Sequence, residues 1–171
     1  LGCAFADGDT MYVYGVRGWD TPTIYVFWSK DLKQWQSQPA VKTPGWGLFN
    51  SSVCKDDRGY VMAFEVGRPP EVAGAPFTTR FARSKNLLDW EILDEPAVYS
   101  KEFYVACPAI RWLEGQYYMF HLAALPGPKW ETVLVRSPDL VHWHASPHNP
   151  VLAFSPEDKQ IANAKLTPDE R

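Results

Sequence analysis

Ser29-Lys-Asp-Leu-Lys-Gln-Trp35 returns as Ser84-Lys-Asn-Leu-Leu-Asp-Trp90 and again as Ser137-Pro-Asp-Leu-Val-His-Trp143. The shared pattern S-x-(D/N)-L-x-x-W recurs at spacings of 55 and 53 residues. A period of that size marks an array of like supersecondary units. The motif has a local task. Ser closes a strand, and Asp31, Asn86 and Asp139 can accept backbone N–H bonds in an Asx-type turn. The Leu covers the turn, and Trp35, Trp90 and Trp143 open the next strand. A residue set needed in every unit is expected to serve the fold rather than a ligand.

Each motif follows a β-like run: Thr23–Trp28, Thr78–Arg83 and Glu131–Arg136. Before that stands an aromatic run, Met11–Tyr14, Tyr60–Phe64 and Tyr117–Phe120, and earlier still a small-residue run holding Cys3, Cys54 or Cys107. Each unit therefore reads as four antiparallel strands, the size of a propeller blade. The expected fold is all-β, a β-propeller with about three blades present, in units 1–38, 49–94 and 103–146 of one domain. Residues 147–171 form a C-terminal segment, with a short helix expected over 155–165 from the start signal Ser155-Pro-Glu-Asp158. The chain opens without Met inside an expected strand. It ends on a second helix start, Thr167-Pro-Asp-Glu170, so it reads as part of a larger propeller or as one that self-associates through open blade edges.

Composition agrees with strands and turns. Phe, Trp and Tyr are 15% of the 171 residues, and there are 15 Pro where average usage gives about 9. Net charge is −3 and no basic run occurs, which argues against a nucleic-acid partner. The apolar runs are too short for a membrane-spanning helix. Three cysteines at equivalent places in the three units suggest no disulfide framework, and with no visible signal peptide the sequence slightly favours a cytoplasmic setting. Their thiols could meet at the propeller axis around a divalent cation. Small buried residues crowding there explain them without one, so no cofactor or metal is expected.

In an antiparallel meander the start of the first strand and the end of the second lie on the same propeller face. Aligned by their aromatics, the second strands place Gly15, Glu65 and His121 at one position, where the units disagree. Glu65 follows apolar residues and should be buried, which raises its pKa unless it is paired. Arg80 on the adjacent strand is the expected partner. Glu102 can lie at the channel mouth, or be an exposed loop acid. His121 can donate a proton or bind a ligand, or be satisfied within the blade. Asn50 can hold a sugar hydroxyl or cap a turn. Trp46, in a Gly/Pro setting, can stack on a ligand or plug a blade interface, and Arg17 lies in a polar, aromatic loop. The loop Gly67–Pro76 is long enough to suggest function.

The S-x-D-L-x-x-W motif after a strand, with strands such as Gly115-Gln-Tyr-Tyr-Met-Phe120, resembles the five-bladed β-propeller glycoside hydrolases of family 43 and their relatives in families 32, 117 and 130. The resemblance covers residues 1–146. It implies cleavage of a glycosidic bond in an oligosaccharide or glycan by an Asp base, a Glu acid and a third Asp drawn from inner-strand starts. Glu65 and Glu102 are the candidate acid and modulator, with Asn50, Arg80, His121, Trp46 and Arg17 on the sugar. This chain departs from the pattern, because the inner strands open at Leu1, Asn50 and Val105 with no Asp. A non-catalytic carbohydrate-binding or scaffold propeller is one alternative. A phosphorylase of the same fold, with Arg17, Arg80 and Arg111 around a phosphate, is another.

Overall fold

A computed structural model describes residues 2–75, 77–127 and 129–159. The first sheet holds β1 (Gly2–Asp7), β2 (Thr10–Gly15), β3 (Thr23–Ser29) and β4 (Gln36–Lys42). The second holds β5 (Gly47–Asp56), β6 (Gly59–Arg68), β7 (Thr78–Ser84) and β8 (Glu91–Ile92), with the short helix α1 (Pro70–Ala73) between β6 and β7. The third holds β9 (Val105–Leu113), β10 (Gln116–Leu125), β11 (Lys129–Ser137) and β12 (His144–Ala145). Every sheet is an antiparallel meander in chain order, and the first strands of the three sheets, β1, β5 and β9, pack side by side. This is the arrangement of β-propeller blades. A single 3-10 turn at Pro156–Lys159 begins where a helix was expected, and the rest of that expectation, like Thr167–Glu170, lies outside the described residues.

The repeated motif builds the same corner three times. The Ser hydroxyl accepts the Leu backbone N–H at 2.9 Å in all three copies, Ser29 to Leu32, Ser84 to Leu87 and Ser137 to Leu140. Asp31, Asn86 and Asp139 each accept two further backbone N–H groups at 2.8–3.0 Å. Each Trp indole donates to the Leu carbonyl at 3.1–3.2 Å. These bonds hold Leu32, Leu87 and Leu140 at φ of 59°, 66° and 69°, a conformation that a branched side chain rarely takes without such support.

Packing between sheets explains which copies are buried. Leu87 and Leu140 are 1% and 0% exposed because the preceding sheet covers them, whereas Leu32, at the outer side of the first sheet, is 62% exposed. Tyr14 reaches from the first sheet to donate to the Leu87 carbonyl at 2.6 Å and meets Trp90 edge-on, and Phe81 stacks on Trp143 at the next interface. The middle sheet is covered on both faces, so β6 is buried almost throughout. Met62 and Phe64 face the first sheet, and Val61 and Ala63 face the third. Burying such a side chain stabilises by about 1.5–3 kcal/mol.

A polar latch repeats at both interfaces. Asp7 accepts from the Tyr60 hydroxyl at 2.8 Å, and Asp56 accepts from the Tyr117 hydroxyl. Arg83 then binds both Asp56, at 2.9 Å, and Tyr117, at 2.7 Å. The hydrogen bonds to Tyr117, Arg58 and Arg83 hold Asp56 ionised, its pKa lowered even though burial opposes the charge.

Strand register corrects two expectations. Met11, Tyr60 and Tyr117 pair with Ser29, Ser84 and Ser137, so the position of Gly15 is taken by Phe64 and His121. Glu65 stands one residue further on, and successive residues of a strand face opposite sides. Counted through the same hairpins, Cys3 matches Ser52 and Cys107 matches Asn50, so the cysteines are not equivalent. Among the described residues no group of three or more His, Cys, Asp and Glu side chains could hold a metal. No helix among them is long and apolar enough to cross a membrane.

Candidate functional site

Glu65 lies on the face of β6 that Val61 and Ala63 present to the third sheet, and there it is 1% exposed. Its carboxyl is held by the two neighbouring inner strands at places where their ladders break. The β5–β6 register shifts between Leu48 and Ser51, which frees Asn50, and Asn50 Nδ2 donates to Glu65 Oε2 at 2.9 Å. The β9–β10 register shifts between Phe120 and Leu122, and Cys107, at φ 53°, turns its backbone N–H onto Glu65 Oε1. Bulges of this kind re-aim groups beside functional sites. Burial pushes the Glu65 carboxyl above its ordinary value of 4.5, outweighing the Cys107 and Asn50 hydrogen bonds that favour the anion.

These groups line a cavity of about 470 Å³ to which all three sheets contribute. Arg17 and Trp19 come from the loop after β2, Asn50 and Glu65 from the second sheet, and Tyr104, Ala106 and Cys107 from the entry to the third. Among the described lining residues Glu65 is the sole carboxylate. Arg17 lies over the Tyr25 ring, 3.9 Å from its centroid, and so presents a cation at the rim. Burial, and next the nearby Glu65 carboxylate, raise the Tyr104 hydroxyl pKa. Four lining rings form a chain, Trp19 to Phe49 at 5.0 Å, Phe49 to Phe77 at 4.9 Å and Phe77 to Tyr104 at 5.4 Å, which continues beyond the cavity from Tyr104 to Trp130 at 5.2 Å.

Of the residues singled out in the sequence, the cavity gathers Glu65, Asn50 and Arg17. The others lie elsewhere. Arg80 does not pair with Glu65, because β7 sets Thr79 beside Glu65 and Arg80 beside Phe64. It donates instead to Glu95 at 2.9 Å and lies 5.6 Å from the Trp46 ring centroid, which makes Trp46 part of a packing cluster rather than of the cavity. His121 is 2% exposed. Its Nδ1 donates to the Leu122 carbonyl at 3.1 Å, which leaves Nε2 to accept from Tyr99 at 3.2 Å. Burial lowers its pKa, so the ring is a neutral, satisfied part of the blade. Glu102 is exposed and borders a separate cleft with Tyr99 and Trp143. Arg111 lies on β9 beside Cys54 and Lys55, away from Arg17 and Arg80.

Trp19, Phe49, Phe77, Tyr104 and Trp130 were not singled out from the sequence. Their signal was an aromatic content concentrated at strand openings and loops, which is indistinguishable from core aromatics until the sheets are placed.

No protein-family model matches the chain, and no curated protein sequence matches it. Solved structures do. A GH32 β-fructofuranosidase of Bombyx mori superposes with a TM-score of 0.62 at 15% identity, over 80% of this chain and 32% of that one. A sucrose-6-phosphate hydrolase of Lactobacillus gasseri gives 0.61 at 15% identity, over 80% of this chain and 30% of that one. A GH43 endo-arabinanase of Bacillus licheniformis gives 0.59 at 14% identity, over 82% of this chain and 51% of that one. The chain thus spans about a third to a half of the length of these neighbours. At such identities the likeness is one of architecture, and this chain has the fold of three blades of the β-propeller glycoside hydrolases.

Proposed function

We propose that the cavity binds a glycoside and that Glu65 is the proton donor for cleavage of its glycosidic bond. The observation that carries this reading is a carboxyl 1% exposed at a cavity wall, with its pKa raised by burial and its orientation fixed by Asn50 and the Cys107 N–H. A glycosidase acid must stay protonated until it delivers its proton to the leaving oxygen, and burial is the usual means. Asn50 Nδ2 and the Cys107 N–H steady the carboxylate left after transfer. Arg17 and the rim aromatics suit the hydroxyl edges and C–H faces of a sugar. The neighbours include a mutant of the Bombyx mori β-fructofuranosidase in complex with sucrose, which supports carbohydrate as the ligand class.

Binding without turnover is the second reading. It is favoured by Glu65 being the sole carboxylate among the described lining residues, since an inverting pair needs a second at about 6.5–9.5 Å. The phosphorylase alternative loses its support, because Arg17, Arg80 and Arg111 do not converge. Replacing Glu65 by Gln separates the two remaining readings. As an acid, Glu65→Gln lowers kcat on an unactivated glycoside by about 10²–10⁴-fold while oligosaccharide affinity stays near wild type. A wild-type protein that binds saccharides and turns over none of them would establish the binding reading instead.

A further inference from the structure

We propose that Cys107 is a positioning residue for Glu65, and that its thiol works through Asn50 by holding the Asn50 amide with its N–H on the carboxyl. The inference rests on Glu65 being the working carboxyl of the cavity.

Three observations carry it. The first is a closed set of bonds. Asn50 Nδ2 carries two hydrogens, and it donates to Glu65 Oε2 at 2.9 Å and to Cys107 Sγ at 3.5 Å. The Cys107 backbone N–H lies on the other carboxyl oxygen, Oε1. Cys107 thus reaches both oxygens, one through its backbone and the other through Asn50. The orientation of an Asn amide is decided by the groups around it. Two acceptors on one side, Oε2 and Sγ, select the NH2 end and turn the carbonyl end away.

The second observation is conformation. Cys107 has φ 53°, a region that glycine enters freely and that strains other residues. Glycine would supply the same backbone N–H without that strain. The sulfur contact to Asn50 gives the retained side chain a task.

The third is placement. Asn50 and Cys107 stand at matched positions of neighbouring inner strands, each at a break in its own ladder. The two blades set different side chains there, and these bond to each other beside Glu65 in one cavity. The thiol suits the place. Burial, and next the Glu65 carboxylate, raise its pKa, so it stays neutral and accepts the amide without adding a second negative charge.

The test is a double-mutant cycle on the full chain, read by carbon-13 NMR titration of Glu65. Cys107→Ala removes the acceptor and frees the amide, so the anion loses support and the Glu65 pKa should rise above the wild-type value. In an Asn50→Ala background the same substitution should move Glu65 much less, because no amide is left to position. Cys107→Ser, whose hydroxyl also accepts, should return Glu65 toward wild type. The Asn50 side-chain amide signals should shift in the Ala variant and recover in the Ser variant. If Cys107→Ala fails to fold, Cys107→Gly, which suits φ 53°, takes its place in the cycle. Equal Glu65 shifts with and without Asn50 would mean that the thiol only keeps water out, and would overturn the proposal. So would a Glu65 pKa that ignores the thiol in both backgrounds. Neither result touches the glycosidase reading, which is decided by turnover in Glu65→Gln.

Discussion

The outer corners of the blades and the inner mouth answer the same chain repeat in opposite ways. At the corners three sequence copies make one structure, with the Ser–Leu bond at 2.9 Å each time and the same Leu conformation. At the mouth the corresponding strands diverge. Two inner strands break at one matched position but set different residues there, Asn50 and Cys107, and among the described lining residues the sole carboxyl comes from β6. Repetition records what every blade needs in order to fold. Divergence at matched positions is where a buried carboxyl, Glu65, and an exposed ring, Trp19, come to one cavity.

That comparison can be broken by mutation. Corner changes should cost stability in proportion to cover by the preceding blade and leave saccharide affinity alone. Leu87→Ala, at a side chain 1% exposed, is expected to lose about 2–5 kcal/mol in denaturant unfolding. Leu32→Ala at the matched but 62% exposed position should change stability by no more than about 0.5 kcal/mol. Equal losses at the two sites would mean that the turn, not the interface, uses the leucine.

A smaller effect is expected at the latch. Tyr117→Phe leaves Asp56 and Arg83 short of one buried partner and should cost about 1–3 kcal/mol, with no change in saccharide binding. A change in binding would show that the latch transmits to the mouth.

The smallest effect is the pH dependence of stability that Glu65 confers. Its folded pKa is raised above 4.5 by burial, so the folded state holds the proton more tightly than the unfolded chain does. Its contribution is therefore fully present below the unfolded pKa and is lost as pH rises through the folded one. Unfolding free energies measured from pH 4 to pH 8 should decline less with rising pH in Glu65→Gln than in the wild type. Parallel curves would mean that Glu65 titrates like an exposed carboxyl.

The fold was legible in the sequence because a propeller blade repeats its own turn chemistry. Ser29, Asp31, Leu32 and Trp35 satisfy one another within seven residues, so local reasoning suffices there. The site was legible only in part. Glu65 stands out as a carboxyl in an apolar strand, and Asn50 as a polar residue opening one. Strand adjacency alone points Glu65 to Arg80, but adjacency does not fix which face a side chain takes, and the register puts Arg80 opposite Phe64. The true partners, Asn50 and the Cys107 N–H, depend on two bulges that leave no mark in the composition. The rings beside the cavity were invisible for a related reason, since Trp19 and Tyr104 lie 85 positions apart and line one cavity only after the sheets assemble.

The central claim is that burial makes Glu65 hold its proton more tightly than an exposed carboxyl at a proposed sugar-binding mouth, and carbon-13 NMR titration of its side chain tests it most directly. The account predicts a pKa above 4.5 in the free protein, a further rise when a bound oligosaccharide displaces water from the cavity, and a rise in Asn50→Ala, which removes a hydrogen bond to the anion. A Glu65 pKa at or below 4.5, unmoved by any saccharide, would contradict it.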